Sequence, residues 1–166
     1  MKATENKEKR VLDKAINSFV WKWQLKDKHW NVKKKMTFSD FLSNKMLIVM
    51  AIKEGIPYSI FDKIQSEAPF SRSYWCEALN ISVKSLDRYH NANEKFKPIH
   101  SEKIIELAEV TEIGKDVFGS MNKFKLWLET PNYALGKLKP LDLLKDSYGK
   151  EMVVSELTRI DHGILA

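Results

Sequence analysis

The sequence predicts an all-α protein, and three observations support this prediction. Apolar residues recur at the three- and four-residue spacing of amphipathic helices through most of the 166 residues. Prolines and glycines fall between these stretches, where they end one helix or begin the next. No stretch alternates apolar and polar residues as a half-buried strand does.

The apolar pattern places the helices in chain order. Gly55 ends the second of them and Pro57 opens the third, which is the usual placing of these residues at helix boundaries. The predicted helices are Val11–Leu25, Phe38–Ile56, Pro57–Glu67, a pair within Ser71–Asn91, one from Ser101, Met121–Leu128, a short one at Leu141–Leu144 and a last one from about Lys150.

The net charge of +6 is unevenly distributed along the chain. Residues 1–37 hold 11 basic and 4 acidic residues, which leaves 17 basic and 18 acidic residues in the other 129. The basic excess therefore belongs to the N-terminal arm, and the nearly neutral remainder does not predict DNA binding by charge alone.

The N-terminal arm combines these lysines with aromatic residues. Phe19, Val20, Trp21, Trp23 and Trp30 precede the run Lys33-Lys34-Lys35. Two interpretations stay open. In the first, the tryptophans pack on the body or on a second subunit while the lysines are solvated. In the second, the lysines and aromatics contact nucleic acid phosphates and bases. A purely architectural role in assembly is a further possibility.

The cysteine count and the N-terminus indicate a cytoplasmic protein. Cys76 is the only cysteine, so no internal disulfide or thiolate metal site is possible. The Lys-rich start has no apolar signal-peptide region, and no apolar run reaches the length of a membrane span.

Residues Ser71–Asn91 are typical of a helix-turn-helix. Ser71 can cap the first helix and Ser82 the second. Asn80 falls where the turn needs a left-handed residue, and Cys76 where crossing helices need a small side chain.

The second helix of this motif presents candidate DNA-binding residues. Lys84, Ser85 and Arg88 point outward near its start, where a reading helix enters the major groove, and Ser82 and Arg72 can reach phosphates. The carboxylate of Asp87 on the same helix would be repelled by phosphate. The alternative to DNA binding is therefore that the helix-turn-helix serves only as a scaffold.

Enzyme chemistry is not predicted. The histidines His29, His90, His100 and His162 are scattered without the paired spacing of a zinc site. Cys76 is expected to be buried and inert, and no glycine-rich phosphate loop is present. We therefore expect no catalytic residue, no metal and no cofactor.

The stretch from Trp127 to Gly163 carries the most specific pattern. Pro131 and Pro140 fix their own φ angles and disfavour helix before them, and Gly136 can adopt angles closed to other residues. Two proline turns and a glycine within ten positions specify a shaped surface.

This order of residues resembles the toxin-binding domain of the Xre/MbcA/ParS family of antitoxins, and the helix-turn-helix is similar to the Xre-like half of that family. Family members commonly carry a second glycine and an aromatic residue where this chain has Lys137 and His162. The matching residues are Phe118-Gly119, Trp127-Leu128, Pro131-Asn132, Ala134-Leu135-Gly136, Pro140-Leu141, Leu144, Gly149, Val153, Leu157, Arg159-Ile160 and Gly163.

The resemblance implies an antitoxin of a type II toxin–antitoxin system. Its segments would be a basic, Trp-rich arm at 1–37, an Xre-like helix-turn-helix bundle at 38–100 and a small helical toxin-binding domain at 101–166. The implied partner is a RES-domain toxin that consumes NAD, whose active site the antitoxin covers. A homodimer that represses its own operon by binding operator DNA is also implied.

Two groups of residues are predicted to bind the toxin. Leu135 and Leu138 form an apolar patch, although core packing is the alternative for Leu135, as it is for Trp127, Leu141 and Leu144. The residues predicted to plug the NAD pocket are Arg159, His162, Gly163, Ile164 and Leu165. A stand-alone helix-turn-helix transcriptional regulator is the alternative function.

Overall fold

The structure is a computed structural model that describes residues 2–26 and 35–163, with side chains from residue 11 onward except for 24–26. These residues form ten α-helices and one short 3-10 helix and contain no strand, which confirms the all-α prediction. The α-helices are α1 (Lys2–Lys26), α2 (Phe38–Ser43), α3 (Lys45–Glu54), α4 (Tyr58–Glu67), α5 (Arg72–Ala78), α6 (Val83–Ala92), α7 (Pro98–Phe118), α8 (Met121–Glu129), α9 (Pro140–Leu143) and α10 (Ser147–Asp161), and the 3-10 helix is η1 (Tyr133–Leu135).

The chain forms two compact units, each made of two segments. The first unit comprises Met1–Glu67 and Lys84–Ile105, and the second comprises Ala68–Val83 and Glu106–Ala166. These units are defined by contacts within the structure, and their boundaries differ from those of the predicted arm (1–37), helix-turn-helix bundle (38–100) and toxin-binding domain (101–166). That division of the chain stays a prediction.

In the first unit, α1 packs along α4 and also contacts α2. One face of α1 is buried, and Trp23 meets the ring of Phe19 edge-on with 4.8 Å between centroids. In the described part of the arm, Trp23 is therefore packed in the interior, as the first of the two interpretations expects, while Trp21 is exposed. Trp30, Lys33 and Lys34 lie outside the described residues.

The predicted helix Phe38–Ile56 is wrong in one respect, because it is two helices that meet at Asn44. The Asn44 side chain accepts hydrogen bonds from the backbone of Met46 and Leu47, both at 3.2 Å. The same residue therefore ends α2 and caps the start of α3. Gly55 ends α3 with φ 84°, as predicted.

Ser101 does not begin a helix, since α7 already begins at Pro98. Its hydroxyl is buried, accepts a hydrogen bond from the backbone N–H of Ile56 at 3.0 Å and donates to the carbonyl of Phe96 at 3.2 Å. Ser101 therefore satisfies buried backbone groups of the first unit instead of capping a helix.

In the second unit, α10 approaches α9 closely at Gly149. A Cβ atom added to Gly149 would lie 2.0 Å from the carbonyl oxygen of Leu143, a separation that only glycine avoids. The helix begins at Ser147, earlier than the predicted Lys150, because the Asp146 side chain caps it by accepting from the Gly149 N–H at 2.8 Å.

Replacing Gly149 by alanine should push α10 away from α9. We expect the free energy of unfolding to fall by about 2–3 kcal/mol, the upper part of the range usual for overpacking, and Tm to fall by about 5–10 °C. Thermal unfolding followed by circular dichroism measures this change.

Ser155→Ala is the matched control, since Ser155 is exposed on the same helix. Its Tm should stay within about 2 °C of the wild type. Equal Tm values for the two variants would contradict the close approach at Gly149.

Candidate functional site

The 131–139 loop is closed by hydrogen bonds to Asn132. The Asn132 side chain accepts from the N–H of Ala134 at 2.8 Å, and its carbonyl accepts from the N–H of Lys137 at 2.8 Å. The Asn132 N–H donates to the carbonyl of Leu138 at 3.0 Å. Gly136 and Lys137 both adopt left-handed backbone angles, with φ 67° and 63°, which turn the chain back on itself.

This loop divides its apolar side chains between the core and the surface. Leu135 is only 3% exposed, whereas Tyr133 is 81% exposed and Leu138 is 52% exposed. Of the two interpretations of Leu135, the structure matches core packing, and Leu135 is not available to a partner. Leu144 is buried as well, and Trp127 and Leu141 are half-buried.

Helix α10 carries an exposed stripe that runs to its C-terminal end. Val153 and Leu157 are buried on the opposite side, where α10 packs on α9 and η1. The members of the stripe follow the three- and four-residue spacing of one helix face. The exposed stripe consists of Tyr148, Met152, Ser155, Arg159 and His162.

Three of the predicted plug residues lie together at the end of this stripe. Arg159 is exposed and its Nη1 lies 3.9 Å from the Glu156 carboxylate, which is buried. His162 ends the helix by donating its backbone N–H to Thr158, and Gly163 follows with φ 69°. Ile164 and Leu165 lie outside the described residues.

Three exposed residues of this surface were not predicted from the sequence: Tyr133, Tyr148 and Met152. Tyr148 and Met152 lie eleven and seven positions before Arg159. On a helix these spacings place all three side chains on one face, and this could have indicated that they share a surface. Tyr148 and Met152 are exposed, at 83% and 46%.

A groove of about 270 Å³ also lies within the second unit. The hydroxyl of Tyr74 donates to the carbonyl of Leu141 at 2.8 Å beside it, and burial raises the pKa of Tyr74 well above its usual value. Tyr74 therefore stays a neutral donor. The lining residues are Ala68, Pro69, Phe70, Ser71, Tyr74, Lys125, Leu128, Glu129 and Leu141.

The turn of the predicted helix-turn-helix has the expected local geometry. Ser71 accepts a hydrogen bond from the Tyr74 N–H at 3.1 Å and caps α5, and Asn80 has φ 51°. The candidate residues Arg72 and Ser82 belong to the second unit, whereas Lys84, Ser85 and Arg88 belong to the first.

Helix α6 brings three candidate DNA-binding residues together. Lys84 and Arg88 are exposed one helical turn apart, and Ser85 is half-buried between them. Leu86 and Tyr89 are buried on the opposite face. The Nε atom of Arg88 lies 3.9 Å from the Glu94 carboxylate. Because this ion pair is exposed, it adds little stability and leaves the guanidinium accessible.

In the described part of the chain no group of three or more His, Cys, Asp or Glu side chains is placed to hold a metal ion. Cys76 is buried in α5. None of the described helices is long and apolar enough to cross a membrane.

Comparisons with known proteins bear on the second unit directly. Residues 114–163 match the family model of the antitoxin Xre/MbcA/ParS C-terminal toxin-binding domain. The 131–139 loop and the exposed stripe both fall within this match.

Two relatives extend the similarity beyond that domain. The chain is 29% identical over 116 residues to the antitoxin Xre of Photorhabdus laumondii, covering 69% of this chain and 78% of that protein. It is 27% identical over 124 residues to the Prs ADP-ribosylating antitoxin of a Sphingobium species, again covering 69% and 78%. These similarities support an Xre/MbcA/ParS-type antitoxin, with residues 114–163 matching the toxin-binding domain.

Proposed function

We propose that this antitoxin binds a RES-domain toxin that consumes NAD and neutralises it by covering the toxin's active site. The toxin-binding domain implies a cognate toxin. The RES type and the NAD chemistry follow from the resemblance of the sequence to antitoxins of that kind.

The exposed stripe on α10 is the observation that carries this proposal. It leads from Tyr148 and Met152 to Arg159, next to the C-terminal residues that would enter the NAD pocket. Tyrosine, methionine and arginine are enriched in protein interfaces, where they supply large contact areas. A surface already folded into helices binds with little ordering cost.

We further propose that the antitoxin binds operator DNA as a homodimer in the cytoplasm and so represses its own operon. The accessible Lys84 and Arg88 on α6 support this part, because such residues contact base edges and phosphates. Two copies would gather the phosphate contacts that a single α6 lacks.

Deletion of Gly163–Ala166 should abolish neutralisation without unfolding the protein. We expect the Kd for the toxin to rise at least about 100-fold, because the deletion removes the central plug, while Tm changes by less than about 2 °C. The toxin gene is expected next to the gene of this antitoxin. Co-expression of the two genes, with growth, cellular NAD and co-purification measured together, provides the test.

The control is Asp116→Ala, an exposed position in the same unit, which should rescue growth and NAD as the wild type does. A truncated chain that still restores both would contradict the plug. Failure of the full chain to bind or rescue would contradict the proposed function itself.

Arg88→Ala should weaken operator binding by about 10–100-fold, the usual loss for one specific base contact, and leave toxin neutralisation intact. Gel-shift titration on the DNA upstream of the operon measures the affinity. Lys53→Ala removes one exposed positive charge from the same unit and should reduce affinity by less than threefold.

Two results would count against this assignment of α6. Unchanged DNA affinity in the Arg88 variant means that α6 is not the reading helix, and a parallel loss of neutralisation means that Arg88 is structural. Operator binding by a protein that forms no complex with the neighbouring gene product would instead favour the stand-alone regulator.

A further inference from the structure

Lys137 adopts a backbone conformation that its side chain disfavours. Its φ of 63° lies in the left-handed region, where the Cβ atom of an L-residue crowds the following carbonyl. Apart from Lys137, the described non-glycine residues with positive φ are the asparagines Asn80 and Asn93, which tolerate this region. A lysine at position 137 therefore carries a conformational cost that glycine would not.

The closed 131–139 loop holds Lys137 in this conformation. Its N–H donates to the Asn132 carbonyl at 2.8 Å, and the next residue, Leu138, donates to the Leu135 carbonyl at 3.3 Å. Leu135 is buried and fixes the loop to the core of the second unit. The lysine is therefore presented at a fixed position on a preformed loop.

Lys137 differs in its surroundings from Lys145 and Lys150, two other lysines of its unit. Lys145 lies 2.7 Å from Glu77, and Lys150 lies 2.6 Å from Glu109. Within residues 35–163, no carboxylate forms an ion pair with Lys137. Its Nζ instead lies 5.8 Å from the centroid of the Tyr133 ring.

The surface around Lys137 combines a cation with apolar area. Tyr133 and Leu138 are both largely exposed beside it, and all three residues lie in the matched toxin-binding domain. An aromatic and an aliphatic side chain next to an unpaired cation form a surface complementary to an apolar patch that carries a carboxylate.

We propose that Lys137 determines specificity for the cognate toxin by pairing with a carboxylate on the toxin surface while Tyr133 and Leu138 pack beside it. This inference rests on the proposed toxin binding and names the chemistry that this part of the surface recognises.

Substitutions at Lys137 separate the charge from the backbone strain. K137G removes both, K137A removes the charge and keeps the Cβ atom, and K137R keeps both. We expect the Kd for the protein encoded by the adjacent gene to rise about tenfold for K137G and K137A and to change less than threefold for K137R. Since only glycine relieves the strain, K137G should melt about 2 °C above K137A.

The measurement is titration calorimetry at 50 and 300 mM salt, with thermal unfolding of each variant alone. The wild-type affinity should fall more steeply with salt than that of K137G. Wild-type affinity in K137G, or loss of affinity in K137R, would overturn the role of Lys137 and leave the proposed function standing. Failure of the wild-type chain to bind would overturn both.

Discussion

The approach of α10 to α9 at Gly149 is the contact on which the surface of the second unit depends. Because a Cβ atom cannot be accommodated 2.0 Å from the Leu143 carbonyl, glycine alone lets the two backbones meet. This contact buries Val153 and Leu157 and leaves the Tyr148–Arg159 side of α10 exposed. The Lys150–Glu109 ion pair, half-buried at 2.6 Å, ties the same helix to α7.

The 131–139 loop is organised by a single side chain and its backbone. Asn132 accepts from Ala134 and Lys137 and donates to Leu138, so the loop keeps its shape without a partner. A loop fixed in this way loses little conformational entropy on binding, which favours tight association. The match to the antitoxin toxin-binding domain and this preformed surface therefore support the same function, since the match covers the loop and α10 together.

Much of this arrangement was predictable from sequence, because proline, glycine and asparagine act locally. Gly55 ends a helix, Asn80 takes the left-handed turn, and Pro140 begins α9. One error came from non-local partners. Ser101 resembles a helix cap, but its partners Ile56 and Phe96 are set by packing. Periodicity also could not distinguish the buried Leu135 from the exposed Tyr133 two positions earlier, because a 3-10 turn follows neither helical nor strand spacing.

Hydrogen–deuterium exchange of the full chain, alone and with the protein encoded by the adjacent gene, tests whether the 131–139 loop and the exposed stripe on α10 form the toxin-binding surface. We expect slower exchange in residues 131–139 and 147–163 of the complex, and unchanged exchange in α6. A complex in which those two segments exchange as they do in the free protein, with protection confined to α1–α4, would contradict this assignment.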